Sequence, residues 1–250
     1  MRLTAAGRAA IPEARRAVES ADGAIRLARA VGQGVGGTVR VECAQSLTVA
    51  LLAPVLTRWN VERPDVTISL RESTNLEGSL ALLESGEADL GLFSDPGDTG
   101  FEMTTVAEEE VVVALSTRHP FAARKTIRQR DLQGQPFVHF TPENWLGSWI
   151  ESRLDGVDLR ESVVVRTAVT THAPQLAAAG LGVTVVPVSA VAAGFSGVVR
   201  SFEPRWTRRL VAMTAASPDP LVAQLISDLR GSGLNVPADI AAQLVGSPGS

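Results

Sequence analysis

The fold is decided by residues 38–55, which read TVRVECAQSLTVALLAPV. Apolar and charged residues alternate from Val39 to Cys43, and this period of two predicts a strand with one buried face. Apolar residues then recur at every fourth position from Leu47 to Val55, which predicts a helix. The segment therefore predicts a strand, a polar corner and a helix, the beginning of a βαβ unit.

The polar corner between this strand and this helix is formed by Gln45 and Ser46. Serine is a favoured N-cap residue, so we expect Ser46 to cap the helix. The first turn of a helix presents free N–H groups and the positive end of the helix dipole, and both attract small anions. The corner is therefore either a helix cap alone or an anion-binding site, and similar corners later in the chain favour the binding site.

Composition narrows the class of protein. The chain of 250 residues is 45% hydrophobic and 20% charged, which is typical of a globular protein with a substantial core. Its net charge of −4 gives no electrostatic indication of nucleic-acid binding. The single cysteine, Cys43, excludes an intramolecular disulfide, and its place in an apolar strand favours an inert core thiol. Because no apolar run reaches membrane-spanning length and no signal peptide is evident, we expect a cytoplasmic protein without a membrane partner.

A long N-terminal helix is predicted over residues 4–31. Its apolar residues follow a heptad spacing, which favours pairing with a second helix. The seam consists of Ile11, Ala14, Val18, Ala21, Ile25 and Ala28. We interpret it as a homo-oligomerisation surface, and a helix packed on its own domain is the alternative. Pro12 should start or kink this helix, and residues 32–37, GQGVGG, are predicted to be a flexible linker.

Strands and helices alternate along the rest of the chain. We predict strands near residues 66–71, 89–93, 110–116, 137–140, 163–167, 183–186, 198–202 and 209–214, and helices near 75–84, 143–154, 172–179 and 218–229. This alternation predicts a parallel α/β sheet with helices on both sides. We expect two α/β lobes, with the strand near 111–115 leaving the first lobe and the strand near 210–214 returning to it. A weak helix near 238–244 is expected in an otherwise frayed tail.

Polar residues follow several of these strands at their carboxyl ends. Ligands of such sheets bind beyond these ends, and hydroxyl and amide groups suit hydrogen bonding to a small polar ligand rather than chemistry on it. We therefore predict a ligand cleft lined by Gln45, Ser46, Ser73, Thr74, Thr141, Thr170 and Thr171. Phe93 and Trp145 are candidates for an apolar wall of this cleft.

A set of short motifs in a fixed order resembles the LysR-type transcriptional regulators. The set comprises residues 3–7 (LTAAG), 14–16 (ARR), Trp59 with 64–66 (PDV), 83–90 (LESGEADL), 119–122 (HPFA), 131–132 (DL) and 180–187 (GLGVTVVP). Arg63 departs from the pattern, which usually has an aromatic residue there. Residues 3–7 resemble the end of the family's winged helix-turn-helix, whose DNA-reading helices precede that point. We therefore expect that this chain alone does not bind operator DNA specifically.

The resemblance implies a two-lobed α/β fold like that of type 2 periplasmic binding proteins, with an effector cleft between the lobes. It implies a linker helix and hinge over residues 1–36, lobe I over 37–112 and 209–235, lobe II over 113–208 and a tail over 236–250. The implied effector contacts are the seven polar residues already predicted, and the implied effector is a small polar molecule such as a carboxylate or another anion. The implied partners are a homodimer or homotetramer, and DNA only through the winged helix-turn-helix.

An enzyme and a solute-binding protein on the same fold are the alternatives. His119, His139 and His172 stand far apart without metal-site spacing, and we expect a turn, a strand and an exposed position for them respectively. No nucleophile motif, phosphate loop or dinucleotide fingerprint occurs. The acidic run of residues 108–110 is expected to shield a strand edge or to make surface contacts. We therefore predict no catalytic residue, no metal and no cofactor, and a transport protein would leave the heptad helix without a role.

Overall fold

Strands and helices alternate over residues 4–32, 36–154, 156–157, 159 and 161–244, which the computed structural model describes. The strands are β1 (Gly37–Ala44), β2 (Val66–Ser73), β3 (Leu90–Ser94), β4 (Glu102–Leu115), β5 (Thr126–Ile127), β6 (Phe137–Phe140), β7 (Val163–Thr167), β8 (Thr184–Pro187) and β9 (Val198–Thr214). The helices are α1 (Ala5–Gly32), α2 (Ala53–Glu62), α3 (Leu76–Glu84), α4 (Trp145–Arg153), α5 (His172–Leu176), α6 (Pro220–Ser232) and α7 (Ala238–Ala241). A π-helical turn, Thr48–Leu52, leads into α2, and a second one, Ala177–Leu181, follows α5.

The main sheet has the strand order β2-β1-β3-β9-β4-β8, with β5 beside β9. The pairs of β1 with β2 and with β3 are parallel, whereas β9 is antiparallel to both β3 and β4. The parallel pair of β6 and β7 forms a second sheet, and a bridge between Phe137 and Val183 joins it to the segment that enters β8. The carboxyl ends of β1 and β2 therefore lie side by side, where the sequence predicted a ligand site.

Two strands, β4 and β9, contribute to both hydrophobic cores. The part of β4 around Val106 packs in the core of lobe I with β1, β3, α2 and α6, whereas residues 111–115 pack in the core of lobe II. β9 runs in the opposite direction, with Phe202 in the core of lobe II and Leu210 in that of lobe I. These two strands therefore carry the chain from one lobe to the other and back.

Both crossing strands are longer than the sequence predicted. β4 begins at Glu102 rather than near residue 110, and β9 is one strand rather than two. The first part of β4 is polar and lacks apolar alternation, because pairing with β9 rather than burial holds it in the sheet. The predicted lobe boundaries at residues 112 and 208 lie inside these continuous strands and stay a prediction.

The tail crosses between the lobes a third time. The Asn235 N–H donates to the Ala50 carbonyl of lobe I at 2.7 Å, and Leu234 packs against both cores. Beyond it, α7 places Ile240 in the core of lobe II, where that side chain is fully buried. The weak helix expected near residues 238–244 is therefore present as α7, whereas the expectation that the rest of the described tail is frayed was wrong, and residues 245–250 lie outside the described part of the chain.

The predicted helix cap at Ser46 was also wrong. The helical segment begins at Thr48 with Leu47 as its N-cap residue, and no side-chain hydrogen bond caps it. Pairing with β2 continues to the corner, where the Gln45 N–H donates to the Ser73 carbonyl at 3.3 Å, so the chain turns only after Gln45. Ser46 is instead a buried turn residue, free of a capping role.

The N-terminal helix α1 is unbroken from Ala5 to Gly32, and Pro12 lies inside it rather than at its start. The alanine-rich sequence around Pro12 has a high helix propensity, which offsets the hydrogen bond that proline cannot make. Residues 33–35 of the predicted linker and the side chain of Ala28 lie outside the described residues. None of the described helices is long and apolar enough to span a membrane.

Gly182 permits the close approach of two strands in lobe II. Its φ angle is +144°, and a Cβ atom there would lie 2.1 Å from the Pro136 carbonyl oxygen. The Val183 N–H donates to that same carbonyl at 2.8 Å, and the Val138 N–H donates to the Val183 carbonyl at 2.9 Å. Any larger residue would separate β6 from the start of β8, so this glycine is required by the sheet.

We expect Leu51→Ala to lower the free energy of unfolding by about 2–5 kcal/mol, because this fully buried side chain fills the core of lobe I. The matched control is Val61→Ala on α2, whose side chain is 78% exposed and whose loss should change stability by less than about 0.5 kcal/mol. Urea unfolding followed by circular dichroism measures both. Equal, small effects of the two substitutions would show that the Leu51 side chain does not stabilise the core of lobe I.

Candidate functional site

Three polar corners of the chain meet between the lobes. Gln45 and Ser46 follow β1, Ser73 and Thr74 end and follow β2, and Thr170 precedes α5 in lobe II. Together they line a cleft with a volume of about 40 Å³. The remaining walls are formed by Ala44, Asn75, Leu76, Phe93, Ser94, Asn144, Trp145, Leu146 and Arg208. The sequence prediction therefore brought together residues that the fold does place side by side.

Two of the seven predicted residues lie elsewhere. Thr171 lines a neighbouring, larger cavity together with Gln45 and Ser46. Thr141 lines neither cavity; its N–H donates to the Thr167 carbonyl at 3.1 Å, which continues the pairing of β6 with β7. Thr141 therefore ends a strand as predicted, but it lies outside the cleft. Phe93 and Trp145 both line the cleft, as expected for an apolar wall.

Two hydrogen bonds close the cleft by joining the lobes directly. The Trp145 N–H of lobe II donates to the Thr74 carbonyl of lobe I at 3.0 Å. The Thr170 N–H donates to Gln45 Oε1, also at 3.0 Å. A space of about 40 Å³ holds a few water molecules, far below the roughly 300–1,000 Å³ of ordinary ligand pockets. The structure is therefore a closed state of the cleft.

Asn144 fixes the part of lobe II that faces the cleft. This buried residue caps α4, because its Oδ1 accepts the Leu146 N–H at 3.0 Å. Its Nδ2 donates to the Ala168 carbonyl at 3.0 Å and to Thr170 Oγ1 at 3.3 Å. Since the Thr170 hydroxyl accepts from this amide, its own proton points elsewhere and can donate to a ligand. Asn144 is not among the residues predicted from the sequence, although an Asn before a helix is a common cap signal.

Arg208 is the charged group of the cleft, and it too is absent from the residues predicted from the sequence. Its side chain is only 6% exposed, and its Nε donates to Glu109 Oε1 at 2.7 Å. Its Nη1 donates to Ser94 Oγ at 3.2 Å. The second carboxylate oxygen of Glu109 accepts the Ser189 N–H at 3.3 Å. The antiparallel register of β4 and β9 places Glu109 directly opposite Arg208, so the sheet itself builds this pair.

The expectation of edge shielding or surface contact was therefore wrong for Glu109 and Glu110 of the acidic run, whereas Glu108 is exposed. β4 lies between β9 and β8, and Glu109 and Glu110 are buried at 3% and 4% exposure. Glu110 pairs with Arg205, whose Nε lies 2.8 Å from Glu110 Oε2. The basic run in residues 205–209 is the sequence signal that could have revealed these ion pairs, because opposite charges on two pairing strands stabilise each other.

The lining of the cleft combines one cationic side chain with several hydroxyl groups. Among the described lining residues there is one cation, Arg208, and there is no carboxylate side chain. Hydroxyl groups of Ser46, Ser94 and Thr170 surround the same space and can donate hydrogen bonds to ligand oxygens, whereas the Ser73 hydroxyl already donates to the Asn75 carbonyl at 3.0 Å. Glu109 balances the charge of Arg208 from behind, so hydrogen bonds are the main interactions that the cleft offers a small polar ligand.

The other titratable groups lie away from this chemistry. Burial lowers the pKa of His139, even though Glu151 Oε1 lies 2.8 Å from its Nε2, and burial likewise lowers the pKa of His119. His119 lies in a turn, His139 in β6 and His172 at an exposed helix start, as predicted. No group of three His, Cys, Asp or Glu residues in the described ranges is arranged to hold a metal ion.

The sequence profile of the LysR substrate binding domain matches residues 32–232 of the chain. The chain belongs to this family. The HTH-type transcriptional regulator AlsR of Bacillus subtilis (strain 168) is 28% identical over 195 residues, which cover 75% of this chain and 63% of AlsR. The chain therefore spans less than two thirds of that relative's length.

Two solved structures share the fold of this LysR domain. An H2O2-bound cysteine-to-serine mutant of Corynebacterium glutamicum OxyR has a TM-score of 0.70 at 22% identity, covering 92% of this chain and 76% of the OxyR chain. The BenM effector-binding domain with its effector benzoate has a TM-score of 0.67 at 18% identity, covering 78% of this chain and 90% of that one. The two-lobed fold similar to periplasmic binding proteins is therefore confirmed, and the chain contains a LysR effector-binding domain.

The motifs that carry the LysR resemblance are structural in this domain. Asp89 of the LESGEADL motif accepts the Arg40 N–H at 2.8 Å and the Arg40 Nε–H at 3.1 Å, which ties β3 to β1. Gly86 of the same motif has a φ angle of +71° just after α3, a conformation that favours glycine. Gly182 belongs to the last motif and meets Pro136 as described above. These motif residues stabilise the fold of the lobes, whereas the residues that line the cleft lie outside the motifs.

We expect Arg208→Met to lower the free energy of unfolding by about 3–5 kcal/mol, because it leaves the carboxylate of Glu109 buried without its partner. The double variant Arg208→Met/Glu109→Met removes both charges and should recover at least half of that loss. Chemical denaturation of the two single variants and the double variant measures the coupling. Strictly additive losses would show that the two side chains do not stabilise each other.

Proposed function

We propose that this domain senses a small organic anion in the cleft between its lobes and thereby controls the DNA binding of a LysR-type regulator. The observation that carries the proposal is the lining of the cleft, where hydroxyl groups and Arg208 face one space without an acidic side chain. The DNA-binding part is the winged helix-turn-helix that residues 3–7 resemble in sequence. Membership of a family of regulators favours this role over an enzyme or a transport protein.

The ligand we propose is a carboxylate with a compact apolar body. Phe93, Leu76 and Trp145 give the cleft an apolar side, while Ser94 and Arg208 give it a polar one. An aromatic or branched aliphatic acid matches this lining, because it has an apolar body and a polar carboxylate. The BenM domain, whose structure contains its effector benzoate, has the same fold and is consistent with this class of ligand.

Binding requires the two lobes to move apart. The closed cleft is too small for such an acid, and the bonds from Trp145 to Thr74 and from Thr170 to Gln45 must break or lengthen to admit it. A ligand that fits only the wider state shifts the population toward that state. The position of lobe II relative to lobe I then reports whether the cleft is occupied.

Sensing of peroxide is the second candidate, because the OxyR structure is described as H2O2-bound. A peroxide-reactive cysteine needs an accessible thiolate. Cys43 is the one cysteine of the sequence, it is fully buried in β1, and burial raises its pKa to about 12. These properties disfavour thiol-based sensing in this chain and leave binding as the better-supported function. One buried cysteine also agrees with action in the reducing cytoplasm.

We expect Ser46→Ala and Thr170→Ala each to weaken carboxylate binding about three- to tenfold, the loss of one hydrogen bond. The reference ligand is the best binder from a thermal-shift screen of small carboxylates that includes benzoate. Isothermal titration calorimetry measures each affinity.

Ser85→Ala is the matched control for these variants, because Ser85 is exposed after α3 and its hydroxyl donates to the Leu82 carbonyl within lobe I. Its affinity should equal that of the unmodified chain. Unchanged affinity in both the Ser46 and the Thr170 variants would rule out the proposed site, and a screen without any binder would rule out the proposed ligand class.

The seam of α1 is proposed to pair with a second copy of the chain. Val18 and Ile25 expose 61% and 50% of their surface, an unusual exposure for two large apolar residues on one helix face. Ala14 and Ala21 are exposed beside them, and Ile11 is half-buried. A matching seam from a second copy would cover this face by coiled-coil packing.

We expect Ile25→Asp to shift the chain toward monomer, because a carboxylate in the seam would be buried without a partner. Ser20→Asp is the control, since Ser20 is exposed on the same helix but outside the seam. Sedimentation velocity over a range of concentrations measures the oligomeric state. A monomer at every concentration in the unmodified chain would contradict the proposed pairing.

A further inference from the structure

A second cavity lies on the other side of the Gln45–Ser46 corner. Its volume is about 390 Å³, within the range of roughly 300–1,000 Å³ that small-molecule sites occupy. Lobe I contributes the first helical turn at Val49, and lobe II contributes Gln175 of α5 and the segment after β8 at Ser189. The tail completes the wall at Asn235. The cavity is therefore enclosed by parts of the chain that only the folded protein brings together.

Two hydrogen bonds hold these walls in place. The Asn235 N–H donates to the Ala50 carbonyl, which fixes the tail against the lobe I side of the cavity. The Gly194 N–H donates to Asp239 Oδ2 at 2.8 Å, which fixes the tail against the segment after β8. Unlike the cleft, this cavity needs no movement of the lobes to admit a small molecule.

The lining of the cavity selects against charge. No residue that lines it within the described ranges carries an ionisable side chain. The polar lining residues are Gln45, Ser46, Thr171, Gln175, Ser189 and Asn235, and the others are alanine, valine and proline. A charged ligand would lose hydration here without gaining a counter-charge. An uncharged ligand loses less hydration free energy and can form hydrogen bonds with the amide and hydroxyl groups of the lining.

Ser189 contributes a buried hydroxyl group behind the wall of the cavity. Its Oγ has no hydrogen-bond partner within the described structure, while its N–H is bound to Glu109. Buried hydroxyl groups are nearly always paired, so this one is unusual. It exposes less than 1 Å² of surface, so a ligand in the cavity reaches it only after the wall shifts.

We infer that this cavity is a second small-molecule site, which takes an uncharged molecule with an amide or hydroxyl group on a compact apolar body. The site differs from the cleft in both volume and charge, so it does not depend on the anion proposed there. It adds a second class of ligand to the domain.

The inference is tested with benzamide, nicotinamide, benzyl alcohol and cyclohexanol as uncharged probes, and with benzoate as the charged counterpart of benzamide. Ligand-observed NMR on the whole 250-residue chain detects binding, and titration gives each Kd. At least one uncharged probe should bind. Ala193→Trp should weaken that binding at least about tenfold, because Ala193 is an exposed lining residue where an indole ring fills the cavity without entering the core.

The matched control is Ala216→Trp, at an exposed alanine after β9, which should leave the Kd unchanged. Gln175→Trp, at another exposed lining position, serves as the second variant should thermal melting show that Ala193→Trp does not fold. The inference is overturned when none of the uncharged probes binds, or when the bound probe keeps its Kd in the folded lining variants. It is also overturned when Ala193→Trp abolishes benzoate binding, since the cavity would then accept anions. Benzoate bound only in the cleft leaves both Ala193→Trp and Ala216→Trp unaffected.

Discussion

The antiparallel pairing of β4 with β9 is the constraint on which the rest of the structure depends. These strands carry the chain between the lobes in both directions, and their register places Glu109 opposite Arg208 near the crossing. Both side chains are almost fully removed from water, so either charge alone would be strongly unfavourable there. A slip of β9 by one residue would turn Arg208 to the opposite face of the sheet and separate it from Glu109 and Ser94. The same register therefore determines where the chain crosses between the lobes. It also determines the position of the single cation in the described cleft lining.

The sequence predicted what depends on local patterns. Period-two and period-four spacing located β1 and the helix after it, and the polar corners at Ser46, Ser73 and Thr170 do meet across the lobes. What the sequence did not reveal depends on contacts between distant residues. Arg208 lies in a strand with several other arginines and looks like a solvent-exposed residue until the register with Glu109, about a hundred positions earlier, is known. Ser46 looked like a helix cap because the sequence does not show that pairing with β2 extends to Gln45.

The Gln45–Ser46 corner separates two cavities of different character. On one side lies the narrow cleft with Arg208, and on the other lies the larger cavity, whose described lining has no ionisable groups. Glu109 connects them a second time, because one of its oxygens binds the guanidinium of Arg208 and the other binds the N–H of Ser189. When the wall of one cavity moves, the residues that it shares with the other cavity therefore move as well. This physical continuity gives two ligands a route by which one affects the affinity for the other.

The energetics of closure decide how the domain can report an occupied cleft. β1 is 8 residues long, about 26 Å at 3.3 Å per residue, and it separates the Gln45–Ser46 corner from α1. Because β1 is paired with both β2 and β3, it moves with lobe I, and a signal must travel as motion of lobe II against lobe I. The cleft is closed by two single hydrogen bonds, each worth a net of about 0.5–1.5 kcal/mol. A ligand that binds only the open cleft shifts the equilibrium toward it by about 2.7 kcal/mol at a hundred times its Kd, which is comparable with the two bonds together, so it can open this contact while the sheet pairing of β4 with β9 stays intact.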